Sequence, residues 1–504
     1  MSARAAAAAP RARAVLAAAG AVLAASLAAS CASAPGRDAP SVAPRPIDAS
    51  PACLAELAPQ LPALGERAAE ARTAPRTATL ANGARLVEVE APASALATIA
   101  AGFPVDWAHT DLPSDLATGL LASGATAGDA DAFVDAVRAL GAHVGASADD
   151  GWLWLELRFP EERADGALDV LARWLRVSPP ADEPLARARR RAALARLADD
   201  ATASAVATRA FARLHAPVAG AARALPRPDL DGATPDALAR FLANALDPAR
   251  AVFVYERARS DDAVRARLAA LRGAPGDGAK HSAQVEPAGA AAIANAANAI
   301  HVVDRPGAAQ VELLVGHATV GPADADFAAL SMLASLLGGD VGGRLFRDLR
   351  ERQGLAYVAN AEQRRDGTFV VTTRTRPERL AALLVGVEAH LATLASTPLA
   401  DCERAMLARR ALGEIALAGD APASRRTRER AELAAHGRVR DDAERAADVR
   451  RALARLDDVA RHHLAGAPLV VLVGDRARIE GELAAAIPER PIAEVDPFAQ
   501  AGDR

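Results

Sequence analysis

The chain has 504 residues, of which 51% are apolar and 24% charged, a balance typical of a globular protein that is too long for one core. Its 59 Lys and Arg residues against 63 Asp and Glu residues give a net charge of −4, and no basic stripe stands out, so we expect no nucleic-acid partner. Only 3% of the residues are aromatic, so Leu, Val and Ala on helices must supply most of the core.

The first thirty residues are typical of an export signal. Three arginines precede an uncharged run of small and apolar residues, 14–30, which ends at Cys31. This ending resembles a bacterial lipobox, so the sequence predicts a signal peptide at 1–30 and lipidation of Cys31, the alternative being an ordinary cleaved signal. The protein would then be exported to the bacterial cell envelope, lipid-anchored to a membrane and facing the periplasm. That compartment permits disulfides, but the spacing of Cys53 and Cys402 does not decide whether they pair.

Two segments of low complexity divide the rest of the chain. Residues 31–74 begin with a Pro-, Ala- and Ser-rich stretch that predicts a tether, and 273–297 predicts a flexible linker. Between and after them lie two parts of similar size, 75–272 and 298–490, followed by a tail at 491–504. We therefore predict two domains of equal standing, one on each side of the linker.

The two parts show the same succession of elements, which indicates an internal repeat. Each opens with a predicted hairpin, the first around Asn82-Gly83 and the second around Pro306-Gly307. The predicted strands are 77–80, 86–90, 152–159 and 251–255, then 300–304, 310–317, 368–375 and 469–474. The predicted helices are 112–122, 130–140, 161–176, 183–198 and 261–271, then 324–337, 343–352, 377–395, 399–417 and 478–487. The predicted fold class is α+β, with two homologous α/β sandwich repeats.

The stretch 336–357 carries the most specific resemblance to a known family. It begins Leu-Leu-Gly-Gly-Asp and ends Gly-Leu-Ala-Tyr, and it resembles the C-terminal half of the insulinase/pitrilysin-like zinc peptidases, which include the mitochondrial processing peptidases. A looser resemblance extends over the first part of the chain. It implies two halves that face each other as a clam shell around a substrate chamber.

The zinc site of active family members has no counterpart in this sequence. Those members bind zinc through an H-x-x-E-H helix and a later Glu, and the resemblance places the motif at 114–118. Ser114 and Thr118 then stand at the His positions, Ala117 replaces the general base, and Arg196 stands near the later Glu. An alignment shift of one or two residues brings no His or Glu into either place. We therefore expect this chain to bind no zinc and no other cofactor of its own.

A second feature of the family is retained. Active members use an Arg and a Tyr, seven residues apart in the second half, to hold the substrate carbonyl, and Arg350 and Tyr357 have this spacing. Both side chains are hydrogen-bond donors suited to developing negative charge, so they are the predicted substrate-binding and oxyanion residues. The alternative is structural, with Arg350 a solvated helix charge and Tyr357 a core residue.

The glycines before Arg350 are the remaining site candidates, and they are Gly338, Gly339, Gly342 and Gly343. The processing peptidases have a glycine-rich loop that contacts substrate, and the resemblance makes this stretch its short counterpart. A flexible turn between two helices explains the same residues equally well.

These features together predict the non-catalytic subunit of a heterodimeric zinc metallopeptidase. Its partner would carry an intact H-x-x-E-H motif and the zinc, and the substrate would be a peptide or an unfolded protein. One alternative is a stand-alone peptide-binding or scaffold lipoprotein with a degenerate peptidase fold. Another is an active peptidase with a relocated metal site.

Overall fold

Two six-stranded sheets, one in each half of the chain, organise the part of the protein that the structure describes. This computed structural model describes residues 41–48, 50, 74–91, 94–105, 107, 110, 112–149, 151–219, 228–257, 262–272, 299–339 and 341–498. The predicted signal peptide, Cys31, Cys53 and the predicted linker at 273–297 lie outside the described residues.

The first half combines strands, several of which are buried over most of their length, with helices that pack on the sheet. Its strands are β1 (Arg76–Thr79), β2 (Arg85–Glu90), β3 (Leu96–Pro104), β4 (His143–Asp149), β5 (Trp152–Pro160) and β6 (Val252–Arg257). Its helices are α1 (Ser114–Ala122), α2 (Ala130–Ala139), α3 (Ala164–Trp174), α4 (Asp182–Ala201), α5 (Ala203–Ala219), α6 (Pro235–Ala245) and α7 (Asp262–Ala270). The sheet order is β1-β2-β6-β3-β5-β4, with β2 and β6 parallel and the other neighbours antiparallel.

Local sequence explains the start of this sheet. β1 and β2 form the hairpin predicted around Asn82-Gly83, and Gly83 adopts a φ of 93°, which favours glycine. The Asn82 side chain donates a hydrogen bond of 3.0 Å to the carbonyl of Leu268, which ties the turn to α7. Strand β3 was not predicted, although its nine residues lie at the centre of the sheet, between β6 and β5.

The second half repeats this plan. Its strands are β7 (Ile300–Asp304), β8 (Val311–Ala318), β9 (Ala359–Gln363), β10 (Thr368–Thr375), β11 (Leu469–Gly474) and β12 (Ile492–Glu494). Its α-helices are α8 (Phe327–Gly338), α9 (Leu380–Ser396), α10 (Asp401–Asp420), α11 (Pro422–His436), α12 (Asp442–Leu464) and α13 (Arg476–Ala486). A π-helix spans Phe346–Arg352, and short 3₁₀ turns occur at Glu161–Arg163, Pro248–Arg250 and Pro377–Arg379.

The second hairpin prediction is wrong. The sheet order is β12-β7-β11-β8-β10-β9, so β11 lies between β7 and β8 and the turn at Pro306-Gly307 does not join neighbouring strands. The five-residue apolar run in β11 is buried on both faces, and a strand of that kind belongs at the centre of a sheet. Strand β12 pairs with β7 at the position that β1 holds in the first sheet, so the sheet extends into the segment predicted as a tail.

The two halves exchange helices. Helix α5 of the first half packs on one face of the second sheet, where Phe211 joins a core cluster with Leu314 and Val471. Helix α11 of the second half packs on one face of the first sheet, where Leu433 joins a cluster with Val87, Val254 and neighbouring apolar residues. Each half therefore covers one face of the other half's sheet.

The other face of each sheet packs against helices of its own half. In the first half the central cluster includes Leu121, Phe133, Trp174 and Phe253, and in the second half α8, α9 and α12 contact β8 and β10. The stretch Pro377–Ser396 is long and apolar enough to cross a membrane, but 61% of its most apolar window is buried, as in a core helix. The predicted α+β architecture of two similar repeats is confirmed.

Candidate functional site

The π-helix Phe346–Arg352 carries the predicted site residue Arg350. Helices of this type are rare and occur frequently at functional sites. Contacts from neighbouring helices hold this one in place. Just before it, the Arg344 guanidinium donates hydrogen bonds of 2.9 and 2.7 Å to the Glu403 carboxylate on α10, and both side chains are buried.

Arg350 and Tyr357 lie in direct contact. The guanidinium carbon of Arg350 is 4.6 Å from the centroid of the Tyr357 ring and 4.4 Å from that of Phe346, so the cation stacks against two rings. Tyr357 is 73% exposed, and the Arg350 side chain is 32% exposed. The alternative of a buried Tyr357 is therefore wrong, and the pair forms a donor surface on the outside of the described protein.

The backbone around Tyr357 is fixed by the neighbouring strand β10. The Thr375 hydroxyl donates a hydrogen bond of 2.6 Å to the carbonyl of Leu355, and the Thr373 hydroxyl donates one of 2.5 Å to the carbonyl of Val358. Gly354, with a φ of 65°, turns the chain out of the π-helix. Because its flanking carbonyls are bound, an exposed Tyr357 can still keep a defined position beside Arg350.

Asp348, one turn before Arg352 on the π-helix, is a buried carboxylate with four donors. It accepts hydrogen bonds from His390 (2.8 Å), Arg352 (2.8 Å), Gln353 (3.0 Å) and the backbone N–H of Asp48 (3.0 Å). Burial opposes its ionisation, but these bonds, foremost that from Gln353, hold the pKa of Asp348 below its ordinary value. Burial lowers the pKa of His390, although Asp348 opposes this shift, which suits a neutral imidazole that donates from Nε2.

The predicted zinc positions lie on α1 and α4, which pack together in the first half. Arg196 extends from α4 and donates hydrogen bonds of 2.8 and 3.0 Å to the carboxylate of Asp115 on α1. The Thr118 hydroxyl donates to the carbonyl of Ser114 (2.8 Å), and Ala117 is fully buried in the core. An arginine–carboxylate ion pair therefore bridges the two helices.

This set of side chains does not fit a zinc ion. Protein zinc sites use thiolates, imidazoles and carboxylates, whereas here a guanidinium occupies the carboxylate and an alanine side chain offers no ligand atom. Within the described ranges, no group of three or more His, Cys, Asp and Glu residues is arranged to hold a metal. The described residues therefore offer no route to zinc chemistry at this place.

The four glycines divide into two pairs. Gly338 ends α8 against β9, and a Cβ there would lie 2.6 Å from the backbone nitrogen of Ala361, so close packing alone requires this glycine. A Cβ on Gly339 would lie 2.8 Å from the Cα of Ser335. Gly342 and Gly343 instead line a cavity of about 510 Å³ beside α10. Only this second pair is placed where a ligand could approach it.

An apolar groove runs between α8, α10 and α11. Its volume is about 750 Å³, and its lining includes Met332, Leu407 and Ile415. Arg365 and Arg428 also line it, and both bind backbone carbonyls, those of Ala431 and Ile415 respectively. The groove is of the size and character of a site for a small apolar ligand or a side chain.

Cys402, in the first turn of α10, is disulfide-bonded. The other two cysteines of the sequence, Cys31 and Cys53, both lie outside the described residues. Cys402 immediately precedes Glu403, the residue that binds Arg344. Disulfides form and persist mainly in oxidising compartments, so this bond agrees with an exported protein.

Asp348, Arg352 and His390 are among the residues of the site that were not predicted. The i, i+4 spacing of Asp348 and Arg352 is the usual spacing of a helical ion pair and was a readable signal. His390 lies 42 residues from Asp348 in a strongly apolar helix, and no local pattern connects the two.

Comparison with known proteins agrees with this geometry. The family model of the peptidase M16 inactive domain matches residues 276–408. The crystal structure of an M16 inactive domain from Pseudomonas fluorescens has a TM-score of 0.66 and 20% identity, over 80% of this chain and 98% of that one. A protease from Helicobacter pylori has a TM-score of 0.64 and 15% identity, over 79% and 99%.

The periplasmic protease PqqL from Escherichia coli has a TM-score of 0.64 and 14% identity, over 81% of this chain but 46% of PqqL. A search of curated proteins gave no significant match. At these identities the solved structures establish the fold alone, and the family model adds a sequence match that is limited to residues 276–408. The resemblance predicted from 336–357 is confirmed: residues 276–408 match the peptidase M16 inactive domain, and the chain shares the fold of a solved M16 inactive domain.

Proposed function

We propose that the protein is the non-catalytic subunit of a two-chain metallopeptidase, to which it contributes Arg350 and Tyr357. The observation that carries the proposal is the stack of Arg350, on the π-helix, against the exposed ring of Tyr357, which follows that helix. An arginine stacked against a solvent-exposed tyrosine adds little to a folded core, whereas both groups are donors that can bind a substrate carbonyl. The ion pair between Arg196 and Asp115 supports the assignment of zinc to another chain.

In the proposed complex, the partner carries an intact H-x-x-E-H motif and supplies zinc and the attacking water. Arg350 offers a planar fork of N–H donors, and Tyr357 offers one phenolic O–H. Held across the chamber from the partner's metal, they would bind the carbonyl oxygen of the scissile peptide and stabilise the charge that develops on it. The substrate is a peptide or an unfolded protein, because an extended backbone must enter between the two chains.

The proposal includes export and a lipid anchor at Cys31. The disulfide at Cys402 supports an oxidising compartment, and a similar structure is that of a periplasmic protease. Export of the full-length protein in a bacterial host tests this part. Labelling by a radioactive fatty acid that disappears in a Cys31→Ser variant is the expected result, and an unlabelled periplasmic protein would contradict the anchor.

The test of the site uses the complex of this protein with the H-x-x-E-H chain whose gene lies nearest to its own on the chromosome. Arg350→Ala and Tyr357→Phe are each expected to lower kcat by roughly 10²- to 10³-fold, the usual effect of losing an oxyanion donor. The matched controls are Tyr255→Phe, at the other tyrosine of the chain, which is buried, and Arg461→Ala, at an exposed arginine.

Thermal stability and zinc content are measured on the same samples. Normal turnover in both site variants, with zinc still bound by the partner, would show that the pair is structural. A complex that never forms would instead remove the partner from the proposal.

The apolar groove between α8, α10 and α11 favours one alternative, a stand-alone peptide-binding lipoprotein. That function needs no second chain. Fluorescent unstructured peptides would then bind the isolated protein, and Ile415→Arg in the groove would abolish binding while Arg350→Ala would not. The opposite pattern supports the subunit.

A further inference from the structure

The start of the described chain is held against the π-helix. The backbone N–H of Asp48 donates a hydrogen bond of 3.0 Å to the Asp348 carboxylate, and the carbonyl of Pro46 accepts one of 2.8 Å from Arg352. We call residues 46–48 the strap. Both of its contacts use backbone atoms, two residues apart, and both go to side chains of the same short helix.

The strap binds to a buried carboxylate that also accepts hydrogen bonds from three side chains. Asp348 is 2% exposed, and its two oxygens are shared among Asp48, His390, Arg352 and Gln353. Arg352 binds both Asp348 and the strap, so one guanidinium connects the carboxylate to the carbonyl of Pro46. Removal of the strap would leave one acceptor position on a buried charge unfilled, which is costly.

In sequence, Arg350 lies between the two residues that bind the strap. Because π-helices are rare, contacts with the surrounding structure are expected to favour this one. Arg344 is fixed by Glu403 before the helix, and Asp348 is fixed by His390 and the strap within it. The strap therefore adds two more contacts to those that fix this helix.

We propose that the strap is an intramolecular ligand of the π-helix, with Asp348 and Arg352 as its receptor, and that it positions Arg350 beside Tyr357. Asp348, Arg352 and the strap are positioning elements, since none of them need touch a substrate. The effect on turnover rests on the proposed function, whereas the capture of the strap does not and is tested on the single chain.

The experiment compares Asp48→Pro with Asp48→Ala by hydrogen exchange of the mature chain. Proline has no backbone N–H and deletes the bond to Asp348, whereas alanine keeps it and removes only the Asp48 side chain. In Asp48→Pro, amides of 43–50 and of 344–357 are expected to exchange roughly 10- to 100-fold faster, the range for a lost bond to a charged acceptor. Asp48→Ala should stay within about threefold of the parent protein at 344–357.

A second variant approaches the contact from the other side. Arg352→Ala should accelerate exchange at 43–50 as Asp48→Pro does, while Arg461→Ala, the truncation of an exposed arginine on α12, should not. Equal exchange at 344–357 in the proline and alanine variants overturns the proposal. Faster exchange with unchanged turnover of the partnered enzyme retains the strap and rejects its role in positioning Arg350.

Discussion

A buried carboxyl group on the exchanged helix α11 yields a prediction with a definite sign. Glu429 is 2% exposed and lies one turn before Leu433, the residue through which α11 packs on the first sheet. Its Oε2 atom has no hydrogen-bond partner among the described residues. Burial raises the pKa of Glu429 to about 7, in spite of the nearby guanidinium groups of Arg425, Arg428 and Arg445.

The raised pKa makes folding depend on pH. Between the ordinary value of 4.5 and the folded value of about 7, the folded protein holds a proton at Glu429 that the unfolded chain has released. The stabilisation from this group is present below the unfolded pKa and is lost as pH rises through the folded pKa. The free energy of unfolding falls by about 1.4 kcal/mol for each pH unit between the two pKa values, and by about 3 kcal/mol over the whole interval.

Glu429→Gln keeps the shape of the protonated acid and removes the titration. As the pH rises from 5 to 8, we expect the free energy of unfolding of the variant to increase by about 2–3 kcal/mol relative to that of the parent protein. Urea unfolding, followed by tryptophan fluorescence at both pH values, measures the gain. Glu414→Gln, on the exposed surface of α10, is the matched control. An equal difference between variant and parent at the two pH values would refute the reasoning.

Three further predictions concern stability and metal binding. Burial lowers the pKa of His317 to about 4, so the free energy of unfolding of the parent protein should fall as the pH falls from 6.5 towards 4. In urea unfolding at several pH values, His317→Gln should reduce this dependence on pH, and an unchanged dependence would contradict the prediction. Gly338→Ala should cost about 1–3 kcal/mol because its Cβ meets the β9 backbone, whereas Gly413→Ala, in open space on α10, should stabilise by about 0.5–1 kcal/mol; similar melting temperatures would argue against the packing. Arg196→Ala should cost at most about 1 kcal/mol, because its ion pair with Asp115 is partly exposed, and elemental analysis should still find no bound zinc; one equivalent per chain would reverse the reading of this site.

Local chemistry was sufficient for the parts of the fold that depend on neighbours in sequence. The Asn82-Gly83 turn could be predicted because both residues accept positive φ, and the helix before Tyr357 because its residues favour helices. The hairpin around Pro306-Gly307 was wrong for a nonlocal reason. β11, more than 150 residues further on, inserts between β7 and β8, and no local pattern reveals such a pairing.

In the candidate site too, some features could be predicted from the sequence and others depend on contacts between distant residues. Arg350 and Tyr357 could be identified from spacing within a family resemblance, and Arg196 from its charge at a ligand position. That Arg350 lies on a π-helix could not be predicted, because the contacts around this helix, such as Asp348 with His390 and Arg344 with Glu403, join residues far apart in sequence. Nor could the strap, since its contacts are made by backbone atoms that any sequence supplies.

The helix exchange makes the two halves interdependent as folding units. A fragment that ends after α7 would carry α5 without the sheet it covers, and would leave Val87, Val254 and their neighbours without α11. Each isolated half would thus expose an apolar sheet face and an apolar helix, which are complementary to those of the missing half. Because these surfaces match, we expect the two fragments to associate when they are mixed, through the exchanged helices and without a peptide bond between the halves.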